Sequence, residues 1–167
     1  MRVAALGLGI DEHFFDDKID KHITAMRLNF YPKLDGPAKP GQLRGGEHTD
    51  YGLLTILLQD DAGGLEVKSR SRWVPAPPVE GSFVCNIGDM LDRATGGYYR
   101  STPHRVRLNA SGRDRLSFPL FLAGAARRTW TELRATLPDT RSRLAFCAAW
   151  GVQVLAAQES LRLERAR

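Results

Sequence analysis

Between residues 53 and 122 the apolar residues arrive in short runs and never in one long one. The runs are Leu53 to Gln59, Leu65 to Lys68, Trp73 to Pro75, Ser82 to Ile87, His104 to Leu108 and Leu116 to Leu122. Turn-forming clusters stand between them: Asp61-Ala62-Gly63-Gly64, Pro77-Pro78, Gly96-Gly97 and Ser111-Gly112. Glycine opens positive φ and proline fixes φ while removing a donor, so regular structure is interrupted at each cluster. Runs this short are strands rather than helices. Their even spacing predicts a mainly β chain, a sandwich or barrel. Met90 to Thr95 is the one short helix expected inside it.

Upstream, Ile23 to Tyr31 alternates as a single strand stopped by Pro32. Pro32 to Gly46 holds Pro37, Pro40 and four glycines and reads as a loop. Met1 to about Asp20 reads as the end of a helix and a connection, entered without a capping residue. From Ala123 onward the chain changes character, with 10 Ala and 8 Arg and helical periodicity from Arg141 to Arg165 after Pro138. The organisation expected is therefore a remnant of a helical region over 1–22, a β core over 23–122, and a partly helical Ala/Arg-rich tail over 123–167.

Composition narrows the partners. No run approaches the ~18 apolar residues of a membrane span. Val3 to Ile10 leads into Asp11-Glu12 rather than a cleavage site of small residues, so no secretory signal is read there. Two distant cysteines, Cys85 and Cys147, form no disulfide framework, and a reducing cytoplasm is expected. The net charge of +5 is concentrated in the tail: Met1 to Phe121 has 5 Lys and 11 Arg against 15 acidic residues. A basic stripe studded with aromatics, the footprint of a nucleic-acid groove, is missing from the core, and no nucleic-acid partner is expected.

His48-Thr49-Asp50 is the sharpest local signal. Side chains at i and i+2 of a strand share a face, so this imidazole and this carboxylate can reach one metal ion. His104, where a later strand begins, is the candidate third ligand, since His13 sits among acidic residues and His22 precedes the first strand. Two imidazoles and one carboxylate form the facial triad of non-haem Fe(II) oxygenases. The ordinary reading of each alone is a surface His/Asp pair and a satisfied core histidine. Arg115 and Ser117 share a second face, where a buried guanidinium demands an anion. A structural ion pair is the alternative there. Asn29 and Tyr31 repeat the parity in the first strand, with simple strand packing as the alternative.

Taken in order, Asn29-Phe30-Tyr31-Pro32, His48-Thr49-Asp50-Tyr51-Gly52-Leu53-Leu54-Thr55-Ile56-Leu57, Gly64-Leu65-Glu66-Val67, Asn86-Ile87-Gly88-Asp89-Met90-Leu91, Ser101-Thr102-Pro103-His104-Arg105-Val106 and Arg115-Leu116-Ser117 resemble the Fe(II)/2-oxoglutarate-dependent dioxygenase superfamily, in its isopenicillin N synthase-like branch. The resemblance covers nearly all of Met26 to Phe121. It implies a double-stranded β-helix (jelly roll) with short flanking helices. It further implies that His48, Asp50 and His104 bind Fe(II), and that Arg115 and Ser117 hold the distal carboxylate of the co-substrate 2-oxoglutarate. Tyr31, paired with Asn29, would help place that molecule. The implied reaction consumes dioxygen, oxidises a small organic substrate and releases succinate and CO2. Asn86-Ile87-Gly88-Asp89 is implied to be structural.

Two departures from the family pattern go with these expectations. The helical region ahead of the core is short, and no Lys-Val-Ser-like closing helix comes after Phe121, which suggests a fragment or a tail read out of frame. Rival functions are an isopenicillin N synthase-like oxidase that grips its substrate's own carboxylate with Arg115 and Ser117, and a non-catalytic metal-binding remnant. A zinc hydrolase is disfavoured because no Glu or His is placed as a general base beside the triad. The residues name neither a substrate nor an oligomeric state. Tyr51 and Phe121 are candidate cavity residues, with core packing the first reading of Phe121.

Overall fold

The computed structural model describes residues 1–108, 111–124 and the backbone of 153–154. Its strands form two sheets. The larger is built from β1 (Ile23–Met26), β2 (Asn29–Tyr31), β4 (Leu54–Gln59), β7 (Val84–Ile87), β9 (Arg115–Ala123) and β10 (Gln153–Val154), in the order β1-β9-β4-β7-β10 with β2 also on β9. The smaller contains β3 (Leu43–His48), β5 (Leu65–Ser69), β6 (Arg72–Pro75) and β8 (His104–Arg107), in the order β3-β8-β5-β6. Every pairing is antiparallel except β7 with β10. The short runs predicted a mainly β chain and the resemblance implied this jelly roll, with three small helices beside it: α1 (Arg2–Gly7), α2 (Asp16–Ile19) and α3 (Asp89–Ala94).

Alternation decides what faces the interior. Along β9, Arg115 and Ser117 are buried while Leu116 between them is exposed. Leu65, Val67 and Val106 of the smaller sheet pack with Val84 of the larger to fill the space between the sheets. A second cluster joins Ala5, Leu8 and Phe15 from the first residues to Leu53, Leu91 and Ala94, and so fixes α1 and α3 against the start of β4. Burial of such apolar side chains stabilises each by ~1.5–3 kcal/mol.

Three sequence expectations need correction. The single strand over Ile23 to Tyr31 is split at Arg27–Leu28, although both halves pair with β9. The break lies opposite Pro119, whose carbonyl accepts from Arg27 N at 3.0 Å. Proline has no N–H to return, so the ladder is interrupted there. The Pro32 to Gly46 loop ends early, because Leu43 to Gly46 already belong to β3. A Cβ on Gly45 would sit 3.4 Å from Val106 Cγ2, and the two register shifts along β3 show the irregular pairing that glycines permit. In the tail, Gln153–Val154 is strand rather than helix, added to the free edge of β7. The rest of the expected 141–165 helix lies outside the described residues.

Candidate active site

Three side chains from three places in the jelly roll meet at one end of its interior. His48 is the last residue of β3 and His104 the first of β8, and the two are register partners. Their rings lie with centroids 4.3 Å apart. Asp50 stands just beyond β3 rather than on it, a correction to the same-strand argument. It is held by its surroundings instead: its carbonyl accepts from Asp89 N at 2.7 Å. Its carboxylate is 6% exposed and accepts through Oδ2 from Thr55 Oγ1 (2.6 Å) and Asn86 Nδ2 (2.8 Å).

These contacts orient the remaining lone pairs. His48 Nδ1 donates to Gly46 O at 2.8 Å and His104 Nδ1 to Thr102 O at 3.1 Å. A carbonyl oxygen only accepts, so each Nδ1 carries a proton, and in the neutral imidazole each Nε2 presents its lone pair. Asp50 Oδ1, left free by the bonds to Oδ2, lies 3.9 Å from His48 Nε2 and 3.7 Å from His104 Nε2. Those separations are too long for hydrogen bonds. One donor atom from each residue lies within 4.8 Å of the others. Three acceptors gathered with no proton between them repel one another unless a cation joins them. The donor set, two neutral imidazoles and a carboxylate, fits a divalent first-row metal with open positions.

Asp89 connects the two segments that carry these ligands. Its Oδ2 accepts from Thr49 Oγ1 (3.1 Å) and its Oδ1 from Ser101 Oγ (2.6 Å). Asp92, one turn further along α3, accepts the Ser101 backbone N–H at 2.7 Å. The Asn86–Asp89 stretch therefore does more than end a strand: Asn86 aims the carboxylate and Asp89 braces the approaches to His48 and His104. Asn86 and Thr55 stood in the sequence motifs without a role at the site, although both are polar residues at inward parity in apolar runs, the signal that singled out Arg115 and Ser117.

A narrow cavity of about 80 Å³ runs from the three ligand-type residues to Arg115, Ser117, Tyr31 and Asn29 between walls that include Leu57, Val67 and Val106. Arg115 is 1% exposed. Its Nε donates to Gly63 O (2.8 Å) and its Nη2 to Gln59 Oε1 (3.1 Å), while Nη1 is buried without a partner. No carboxylate lies within ion-pair distance of it among the described residues, and Tyr31 and Asp60 are the groups that favour its charge. Its guanidinium carbon lies 4.9 Å from the centre of the Tyr31 ring. Burial pushes this guanidinium below its ordinary value, the cost of removing a cation from water. An orphaned buried N–H on a cation suits one end of a dicarboxylate. Phe121, expected first in the core, lines this cavity instead.

A second, wider cavity of about 400 Å³ shares His48, Asp50 and Phe121 with the first and is bounded also by Arg27, Tyr51 and Met90. His13 and His22 take no part: His13 pairs with Asp16 at 2.8 Å and His22 with Thr24 at 2.7 Å.

Comparison with known proteins agrees with this architecture. A sequence model of the 2OG-Fe(II) oxygenase superfamily matches residues 23–124. The chain belongs to that superfamily. It is 45% identical over 128 residues to a 2-oxoglutarate-Fe(II) type oxidoreductase of Metarhizium majus, covering 72% of this chain and 34% of that protein. It is also 63% identical over 95 residues to a 1-aminocyclopropane-1-carboxylate oxidase of Dictyostelium discoideum, covering 54% and 26%. A full-length Neurospora crassa protein, crystallised in complex with alpha-KG, superposes with a TM-score of 0.78 at 36% identity, covering 86% of this chain and 50% of that one. The chain thus spans about a third of the length of the curated relatives it matches, and half of the Neurospora chain. No helix among the described residues is long and apolar enough to cross a membrane.

Proposed function

We propose that the chain provides the catalytic core of a non-haem Fe(II)- and 2-oxoglutarate-dependent oxygenase of the isopenicillin N synthase-like branch. It would oxidise a small organic substrate with dioxygen and release succinate and CO2. His48, Asp50 and His104 hold the Fe(II), Arg115 and Ser117 the distal carboxylate of 2-oxoglutarate, and Tyr31 and Asn29 its flank. Bound Fe(II) supplies activation of dioxygen coupled to decarboxylation of the co-substrate. The protein's part is to present two Nε2 lone pairs and one carboxylate oxygen, to neutralise the far carboxylate, and to keep water from the narrow cavity with its apolar walls. The core is 23–122, with 1–22 packed beside it and 123–167 as a tail. The setting is the cytoplasm, with neither nucleic acid nor membrane as partner.

The observation that carries the reading is the unpartnered Nη1 of buried Arg115 in the same cavity as the His/Asp/His set. An exposed metal site alone would not need a buried cation in the same cavity, and burying one is costly unless an anion meets it. Anaerobic addition of 2-oxoglutarate to the ferrous protein tests it. A visible charge-transfer band that His48→Ala abolishes is expected; no band overturns the reading.

A second reading is an oxidase without 2-oxoglutarate in which Arg115 and Ser117 take the substrate's own carboxylate. It is favoured by the relative named for oxidising an aminocyclopropane carboxylate. The same titration separates the two, because only the first gives a band that depends on 2-oxoglutarate. A non-catalytic metal-binding remnant gives no uncoupled consumption of 2-oxoglutarate.

A further inference from the structure

The wider cavity differs chemically from the narrow one. It meets the narrow cavity at His48, Asp50 and Phe121, so a molecule seated in it lies against two of the three ligand-type residues. Its walls include Ile23, Ala25, Met90 and Phe121, and its one cation among the described residues is Arg27. The break between β1 and β2 places Arg27 there, with its backbone N–H fixed to Pro119 O. Its guanidinium carbon stands 5.7 Å from the centre of the Phe121 ring. Arg27 is exposed, and no ion pair with a carboxylate is formed by it among the described residues, so its guanidinium is open to a ligand's anion. Tyr51, the residue directly after Asp50, is 77% exposed and forms another wall.

We propose that this cavity takes a small carboxylic acid as substrate, its carboxylate forked on Arg27 and its apolar body laid on Phe121 toward His48 and Asp50. The inference rests on the 2-oxoglutarate reading, in which Arg115 is committed to the co-substrate and Arg27 is the cation left on the substrate side. A planar guanidinium at the edge of an aromatic ring offers two parallel N–H groups to a carboxylate, and the ring offers a flat apolar surface to the attached hydrocarbon. A neutral hydrocarbon would gain nothing from the cation.

The test compares trans-cinnamate with cinnamamide, which share a shape and differ in charge, by saturation-transfer NMR on the full chain. Cinnamate is expected to bind about tenfold more tightly than the amide. Arg27→Gln is expected to bind the two alike, with its amide binding unchanged and so its cavity intact; Arg115→Gln is expected to keep the preference for the acid. Equal binding of acid and amide by the wild type, or a preference that survives Arg27→Gln, overturns the proposal. A preference lost in Arg115→Gln but kept in Arg27→Gln overturns it too, and returns the substrate carboxylate to Arg115. Failure of the 2-oxoglutarate reading is seen separately, as absence of the ferrous charge-transfer band.

Discussion

Asn86 Nδ2 donates to Asp50 Oδ2 over 2.8 Å, joining β7 to a turn 36 residues earlier in the chain. With Thr55 on the same oxygen, this bond leaves only Oδ1 to face the two imidazoles. Partners of this kind typically change metal affinity by ~10–100-fold when removed. Asn86→Ala is therefore expected to weaken Fe(II) or Zn(II) binding by about that factor, measured by calorimetry. The side chain is only half-buried, so the unfolding midpoint is expected to move little. An unchanged metal affinity would show that Asp50 is oriented without Asn86.

Arg115 supports a prediction about stability under ligand. The wild type at 2-oxoglutarate concentrations 100-fold above Kd gains ~2.7 kcal/mol by mass action. Arg115→Lys keeps the charge and loses the fork. A tenfold loss of affinity at the same concentration leaves ~1.4 kcal/mol. Thermal unfolding with and without 2-oxoglutarate, in the presence of a divalent metal, measures both gains. An equal gain in the two proteins would place the co-substrate's carboxylate elsewhere.

Gly88 is forced by close approach. A Cβ there would lie 2.1 Å from Gly52 O and 3.0 Å from Asp50 O, both backbone atoms of the turn that carries the carboxylate. Rigid backbone cannot yield as a flexible side chain can, and overpacking costs typically ~1–3 kcal/mol or more. Gly88→Ala is expected to lower stability in urea by at least that much and to weaken metal binding, because the turn that moves is the one holding Asp50. A Gly52→Ala variant, whose Cβ would meet Leu122 O at 2.5 Å, tests the same contact region from the other side.

Much of this site was legible before the fold was. His48, Asp50 and His104 were visible as a ligand set in a chain with four histidines, Arg115 and Ser117 as polar residues at one parity of an apolar run, and their order along the chain resembles one family. The features that stayed hidden depend on pairing between distant strands. Asn86 and Thr55 become partners of Asp50 only when β4 and β7 align, and Asp89 braces Thr49 and Ser101 only through the placement of α3. The split of the first strand was invisible for a similar reason, since the proline responsible lies on a strand more than 90 residues away. Arg27 drew no notice because nothing local distinguishes a cation facing a cavity from one facing solvent.

Away from the site, the α1–α2 corner carries a pH-sensitive pair. His13 Nδ1 lies 2.8 Å from Asp16 Oδ2, and Arg2 Nη2 reaches the same oxygen at 3.1 Å. The hydrogen bond to Asp16 raises His13 above its ordinary 6.5, with Arg2 opposing it. The bonds from His13 and then Arg2 lower Asp16 below 3.8. A raised histidine contributes its stability below 6.5 and loses it as pH climbs through the folded value. A lowered carboxylate contributes above 3.8 and loses its share as pH falls through the folded value. The corner is thus expected to be most stable between roughly pH 4 and 6.5 and to loosen on either side. An NMR titration of the His13 ring should give a midpoint above 6.5 in the wild type. Asp16→Asn should bring it back toward 6.5, and Arg2→Ala, which removes a repelling cation, should push it higher. A wild-type midpoint at or below 6.5 would mean that water, and not Asp16, holds the His13 proton.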